Sequence, residues 1–197
     1  MATETLRPNA AGDETAIRRQ YPSSGAHWDK VDEAVSDDSS TYVFENGSTW
    51  RRDLYNLPSS AVGAGTINSV TVWMRALTSA GDLCGAKISL KTGVTTVDGA
   101  AESFAFDWTW YNFSKVWTLN PVTGLAWTWT QINALQIGCR LLGDDDYDEV
   151  DVTQIYVVVD YTAVASGWTG TFNELKTPAS AVDIASASLA SVIGVTG

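Results

Sequence analysis

The chain has 197 residues, 45% of them hydrophobic, and a formal net charge of −11. That length fits one all-β domain with extensions, or at most two small domains, with apolar material enough for a core. The charge excludes a nucleic-acid binder, because neutralising a phosphate backbone needs clustered Lys and Arg, and the twelve basic residues are adjacent only at Arg18-Arg19 and Arg51-Arg52. No apolar run approaches the roughly 18 residues of a spanning helix, so no membrane insertion is expected.

In chain order, residues 1–24 read as irregular, punctuated by Pro8, Gly12, Pro22 and Ser23-Ser24-Gly25, with Ile17 able to begin a short edge strand. Thr41-Tyr42-Val43-Phe44-Glu45 is a short strand, and Asn46-Gly47 after it reads as a hairpin turn, since both residues accept positive φ. Thr49 to Leu57 is the returning strand, with Trp50, Arg52, Leu54 and Asn56 on one side and Arg51, Asp53, Tyr55 and Leu57 on the other. After a loop at residues 58–65, Thr66 to Leu77 alternates as one long strand. Gly81-Asp82 turns the chain into Ala86 to Lys91, which predicts Lys87, Ser89 and Lys91 facing water, with further turns at Gly93 and Asp98-Gly99. Phe104 to Leu119 predicts two aromatic-rich strands bent near Tyr111-Asn112, and Thr128 to Ala134 one helical turn capped by Thr128 or Thr130.

The stretch from Leu125 to Tyr161 organises the rest. Leu135, Ile137, Cys139 and Leu141 alternate with polar or small residues, and Ile155, Val157, Val159 and Tyr161 share one face of a β-branched run. The pattern predicts two paired strands joined by the acidic turn 143–149. Seven to nine strands with turn signals between them argue an all-β, two-sheet antiparallel sandwich, jelly-roll-like. Past residue 162 the composition shifts to Ala, Ser, Gly and Thr with sparse apolar residues. The domain is therefore residues 1–162, and 163–197 is a C-terminal extended arm or tail. Trp168, Phe172, Val182, Ile184, Leu189, Val192 and Ile193 are the residues such an arm would dock on a neighbour, with a flexible tail as the other reading.

Little in the chain points to catalysis. The single histidine, His27, removes most zinc sites, Ser-His-Asp triads and Cys-His pairs, and no phosphate-cradling glycine loop is present. Nothing singles out a pair among the 23 acids, so no catalytic residue is expected and the chain is read as a non-enzyme. The cluster Asp144, Asp145, Asp146 and Asp148 suits oxygen-loving calcium but lacks EF-hand spacing, and a solvated acidic turn between two strands is the favoured reading over a calcium site. No other cofactor is implied. Cys84 and Cys139 read as buried free thiols, with a disulfide as the alternative. Trp108-x-Trp110 and Trp127-x-Trp129 have i, i+2 spacing, which in a strand puts both rings on one face. Exposed, such pairs stack on sugars; buried, they fill a sandwich core.

Thr41-Tyr42-Val43, Arg52-Asp53-Leu54-Tyr55, Ile67 to Val72, Trp127-Thr128-Trp129 through Leu141, and Thr153 to Tyr161 together resemble structural proteins of tailed bacteriophages and prophages. The resemblance covers about residues 1–162. It implies a sandwich like a carbohydrate-binding module that decorates a capsid or builds a head or tail fibre, and it carries no catalytic residues. The start of the chain has no apolar segment of a secretory signal, whereas the composition suits an extracellular β-domain. Both fit a virion protein assembled in the host cytoplasm; a recloned secreted domain is the alternative. The expected function is that of a structural virion surface protein whose partners are other virion proteins or copies of itself. The alternative is a carbohydrate-binding module, and a host glycan is a partner compatible with both.

Overall fold

The computed structural model of the chain describes residues 1–79, 84–104, 108–144 and 148–164. The strands are β1 (Ala2–Leu6), β2 (Ala10–Thr15), β3 (Arg19–Tyr21), β4 (Tyr42–Glu45), β5 (Arg51–Asn56), β6 (Thr66–Thr78), β7 (Gly85–Thr92), β8 (Thr95–Asp98), β9 (Tyr111–Trp117), β10 (Gln136–Leu142) and β11 (Val150–Thr162). One sheet runs β3-β4-β11-β6-β9, with β1 paired to the far end of β11; the other runs β2-β5-β10-β7-β8. Every pairing is antiparallel. This is a jelly-roll-like sandwich of two antiparallel sheets. The arm residues Trp168, Phe172, Val182, Ile184, Leu189, Val192 and Ile193 lie outside the described residues, as do Asp145 and Asp146.

The inner faces follow from alternation. Val70, Val72, Met74 and Ala76 of β6, Ile137, Cys139 and Leu141 of β10, and Ala86, Ile88 and Leu90 of β7 enter one buried cluster. On β11 the inward parity changes, from Val150 and Val152 to Ile155, Val157 and Val159. A bulge at Thr153, between Val152 and Gln154, absorbs the extra residue and lets both sets face the core. Thr153 is buried and donates through Oγ1 to the Thr41 carbonyl at 2.9 Å.

Two expected hairpins are corners instead. β4 and β5 belong to different sheets, so the Asn46-Gly47 segment carries the chain across the sandwich. β10 and β11 are likewise split, so the acidic segment 143–149 is a second crossing and not a turn between paired strands. The two corners meet: the Gly143 amide donates to the Gly47 carbonyl at 3.1 Å, and a Cβ on Gly143 would lie 2.5 Å from the Asn46 Cα. A true hairpin joins β7 to β8, where Gly93 has φ 61°.

Other expectations also shift. Residues 1–24 supply three strands, because β1 covers the edge of β11 beyond β4 and β2 adds to the edge of β5. The aromatic-rich stretch supplies one strand, β9. Lys87, Ser89 and Lys91 do lie on an outer face but are covered. Lys87 sits 4.5 Å over the Trp50 ring, Ser89 is buried and donates to Asp98 at 2.8 Å, and Lys91 pairs with Asp13. The helical turn is α1 (Trp129–Asn133), closed by a capping box between Thr128 and Gln131. Cys84 and Cys139 are free; Cys139 is buried and Cys84 partly so.

Two carboxylates point inward at the first corner. Asp53 is fully buried and accepts from the Ala16 and Ile17 amides at 2.7 and 2.9 Å and from His27 Nδ1 at 2.5 Å. Glu45, also fully buried, accepts from Arg18 Nε and Nη2 at 2.8 and 2.6 Å. Between them they hold the link by which the chain passes from β2 in one sheet to β3 in the other. Replacing Asp53 with Ala leaves the Ile17 amide and the His27 imidazole without their acceptor and the Ala16 amide with the Arg52 carbonyl alone, so stability should fall by about 3 kcal/mol or more. Asp53→Asn keeps one acceptor oxygen and should lose less. Urea unfolding of both variants measures this, and an Asp53→Ala midpoint equal to wild type contradicts it.

Candidate functional site

The outer face of the first sheet carries a line of aromatic rings at the end nearest the first corner. On β4, Val43 points into the core, so Tyr42 and Phe44 on either side of it point out. Tyr21 of β3 pairs across from Tyr42 and lies outward with it. Ring centroids are 5.4 Å apart for Tyr21 and Tyr42, stacked, and 5.6 Å for Tyr42 and Phe44. Trp110, just before β9, adds an edge contact to Tyr42 at 6.4 Å. Tyr21 is 51% exposed, and Tyr42, Phe44 and Trp110 are half-buried.

Trp110 is held by its backbone. Arg75 Nη1 donates to the Trp110 carbonyl at 3.3 Å, while Nε and Nη2 of the same guanidinium bind both oxygens of Asp38 at 2.6 and 2.9 Å. The bidentate pair fixes the guanidinium plane and with it the position of Trp110. The Arg75 partnership holds the Asp38 carboxyl below the usual carboxylate range.

Asp151 sits under this aromatic shelf. It lies on the outward phase of β11, directly across from Phe44 on one side and Leu77 on the other. It is buried, and its Oδ1 has no hydrogen-bond partner among the described residues. Burial between apolar neighbours, reinforced by the nearby Glu149 carboxyl, pushes the Asp151 pKa up to about 8. Burial likewise raises the Tyr42 hydroxyl, with Asp151, Glu149 and Tyr21 adding to it.

Beside the shelf a cavity of about 420 Å³ opens at the β3 edge, lined by Arg18, Arg19, Gln20, Ser23, His27 and Phe44. Phe44 belongs to both features, so shelf and cavity are continuous. His27 turns Nδ1 to the Asp53 carboxylate at 2.5 Å, which leaves Nε2 as the outer nitrogen.

The residues predicted to stack sugars separate. Trp127 is 4% exposed, with Nε1 donating to the Trp117 carbonyl at 3.1 Å, so it has no face to offer a ligand. Trp129 is half-buried at the start of α1, donates to the Gly65 carbonyl at 2.9 Å and meets Tyr161 edge-on. Neither ring is on a strand, so the i, i+2 argument does not apply to them; Thr128 between them is the cap of α1. Trp108 is 63% exposed with φ 59°, a left-handed backbone that a bulky residue adopts at a cost of about 1 kcal/mol or more. Only Trp110 of the four joins the ring cluster. Tyr21, Tyr42, Phe44 and Asp151 went unremarked in the sequence, although the alternation of Tyr42, Val43 and Phe44 already put two rings on one side.

Asp144 and Asp148 flank a backbone hydrogen bond, the Asp144 amide to the Asp148 carbonyl at 3.2 Å. Among the described residues no group of three or more His, Cys, Asp or Glu is placed to hold a metal. No helix among them is long and apolar enough to cross a membrane. The described residues also bring no nucleophile and base together with an oxyanion site, and His27 is committed to Asp53.

No protein-family model and no curated protein sequence matches the chain. Among solved structures it is similar to a CBM4 module, with 15% identity over 65% of this chain and 90% of that one and a TM-score of 0.40. It is similar to the CBM6cm-2 carbohydrate-binding module of Cellvibrio mixtus lichenase 5A, solved with cellotriose, at 9% identity over 81% and 98% of the two chains and a TM-score of 0.35. It is also similar to part of the enzymatically active domain of bacteriophage CBA120 tailspike protein 4, at 7% identity over 81% of this chain and 19% of that one, TM-score 0.39. At these identities and scores the likeness is one of general sandwich architecture.

The Asp151 shift has a sign that can be measured. Its folded value of about 8 lies above the ordinary 3.8, so the fold keeps a proton that the unfolded chain has lost. The stabilising contribution is complete below about pH 4 and disappears as pH rises toward 8, by up to about 1.4 kcal/mol per unit. Melting temperature should fall across that window, and Asp151→Asn should flatten the fall and be the more stable protein at pH 8. Parallel slopes for the two proteins refute the assignment.

Proposed function

We propose that this sandwich is a glycan-binding module whose platform is the outer face of the first sheet. The observation that carries the reading is the contiguous, partly exposed cluster of Tyr21, Tyr42, Phe44 and Trp110. Ring faces carry negative charge and attract the polarised C–H faces of a sugar, and stacked Tyr and Trp give rigid contact area at small entropic cost. The Arg75–Asp38 clamp holds Trp110 before any ligand arrives, which reduces the ordering cost of binding. Affinity electrophoresis through gels of soluble neutral and acidic polysaccharides tests this directly. At least one polymer should retard the full chain, and Trp110→Ala or Tyr42→Ala should weaken that retardation about tenfold, with Trp127→Ala destabilising the fold instead. Binding that survives both shelf variants, or no binding to any polymer, ends the reading.

A display role on a virion surface is compatible with this, and one feature favours an assembly contact. Val94, Leu119 and Leu125 are exposed by 96, 51 and 68%, and Val94 and Val122 line the same shallow hollow. Leu119 and Leu125 lie in the chain segment that also supplies Val122, and exposed apolar side chains that form one patch are a mark of interaction surfaces. Light scattering of the full chain should then give a multiple of the monomer mass that Val94→Asp with Leu125→Asp reduces. A wild-type monomer at all concentrations removes self-assembly from the reading and leaves a different virion protein as the only partner.

A further inference from the structure

We infer that the cavity at the β3 edge is a subsite for an acidic sugar, taking the carboxylate of a uronic-acid unit whose neighbouring unit lies on the aromatic shelf. The inference rests on the glycan-binding reading and extends it to ligand class. Three observations support it.

The first is the chemistry of the wall. In a chain of net charge −11, the cavity is lined by two arginines, one histidine, one amide, one hydroxyl and one ring, and by no carboxylate. Acids stand behind the wall: fully buried Glu45 takes Arg18, and fully buried Asp53 faces His27. Glu45 takes Arg18 at 2.6 Å and also has Arg51 Nε at 3.6 Å, so two guanidiniums share one carboxylate. A ligand entering from solvent therefore meets N–H donors first, and an acceptor-rich head group is what such a wall recognises.

Second is the position of Arg19. It is exposed and makes no ion pair among the described residues, while its neighbour Arg18 is committed to Glu45. Arg19 pairs in register with Phe44, so its side chain leaves β3 on the same outward face as the shelf. Glu149 is the acid that feels Arg19; its carboxyl is raised by burial, which weakens it as a competitor for the guanidinium. A carboxylate on the ligand would meet Arg19 at the point where cavity and shelf join.

Third is an unfinished hydrogen-bond inventory. Gln20 donates through Nε2 to the Gly25 carbonyl at 2.9 Å, yet its Oε1 is buried with no partner among the described residues. Gln20 lines the cavity, so a side-chain shift that uncovered Oε1 would let a sugar hydroxyl supply the missing donor, which a simple anion cannot do. Donors for a carboxylate and an acceptor for a hydroxyl in one cavity describe a sugar acid.

The chain has one histidine, and it lines the cavity, so the His27 ring signals in a long-range 1H–15N spectrum report occupancy without ambiguity. The full chain is titrated with glucuronate, glucose and acetate at matched concentration and ionic strength. Glucuronate should shift the His27 signals saturably, glucose and acetate should not, and Arg19→Gln should weaken the glucuronate effect at least about fivefold while leaving the unfolding midpoint unchanged. Equal shifts from acetate reduce the cavity to a carboxylate trap, equal shifts from glucose remove the charge preference, and no shift from any of them removes the subsite; each overturns the inference. The shelf stands or falls separately. Retardation by neutral polymers with a silent His27 ends the subsite and keeps the shelf, whereas a glucuronate response with no polymer retarded ends the shelf reading.

Discussion

Two buried carboxylates on consecutive strands, Glu45 and Asp53, hold this molecule's geometry at its first corner. Each would be costly alone inside a sandwich. Each is saturated by groups from the segment between β2 and β3: Arg18 for Glu45, and the Ala16 and Ile17 amides for Asp53, with His27 following from the next turn. The chain must cross between sheets here, and a crossing leaves backbone amides short of ladder partners: Ala16 still reaches the Arg52 carbonyl, and Ile17 turns to the Asp53 carboxylate. Asp53 supplies those acceptors from the opposite strand. The same contacts fix Arg18 and His27 in the cavity wall, so the architecture of the corner and the chemistry of the proposed subsite are one arrangement.

The rest of the site follows from what a sandwich does with its outer faces. The second sheet covers its outer side with ion pairs. Asp98 is shared by Arg52 and Arg140 at 2.8 and 3.0 Å, and Trp50 lies under Lys87 and Arg140. The hydrogen bonds and charge of Arg52, Ser89 and Arg140 outweigh burial and hold the Asp98 carboxyl below its ordinary value. The first sheet is treated differently. Its outer face has stacked rings, with Trp73 and Tyr156 at one place and Tyr21, Tyr42, Phe44 and Trp110 at another, and a carboxyl, Asp151, left protonated at neutral pH. The outer side of one sheet is thus dominated by ion pairs and that of the other by aromatic rings with polar groups beside them.

Alternation in the sequence located most strands correctly because inward and outward side chains differ by a local rule that needs no partner. It also held clues that only the bulge at Thr153 made readable. Val150 and Val152 occupy one parity, Ile155, Val157 and Val159 the other, and a continuous strand cannot bury both. The strands of residues 1–24 were harder, because Thr3, Glu4, Asp13 and Glu14 have no apolar pattern: β1 and β2 are held by ladders to β11 and β5 and by little side-chain burial. The tryptophan pairs misled for a related reason. Spacing of two implies a shared face only within a strand, and Thr128 caps a helix while Trp108 sits at positive φ.

The amino-acid sequence by itself determined the class of this fold: short β-branched and aromatic runs, punctuated by Gly, Pro and Asn, with no amphipathic helix of normal length. It also limited histidine and thiol chemistry to one imidazole and two cysteines. The tertiary structure decided which strands are neighbours. An Asn-Gly pair or an acidic run permits a tight turn, but whether the chain returns along the same sheet or crosses to the other depends on partners far away in sequence. Here β11 lies between β4 and β6, and β10 between β5 and β7, so both segments became crossings. That choice brought Tyr21, Tyr42, Phe44, Trp110 and Asp151 onto one face. No local pattern groups them, because their proximity is a consequence of strand order, and strand order is set by the packing of the two sheets as a whole.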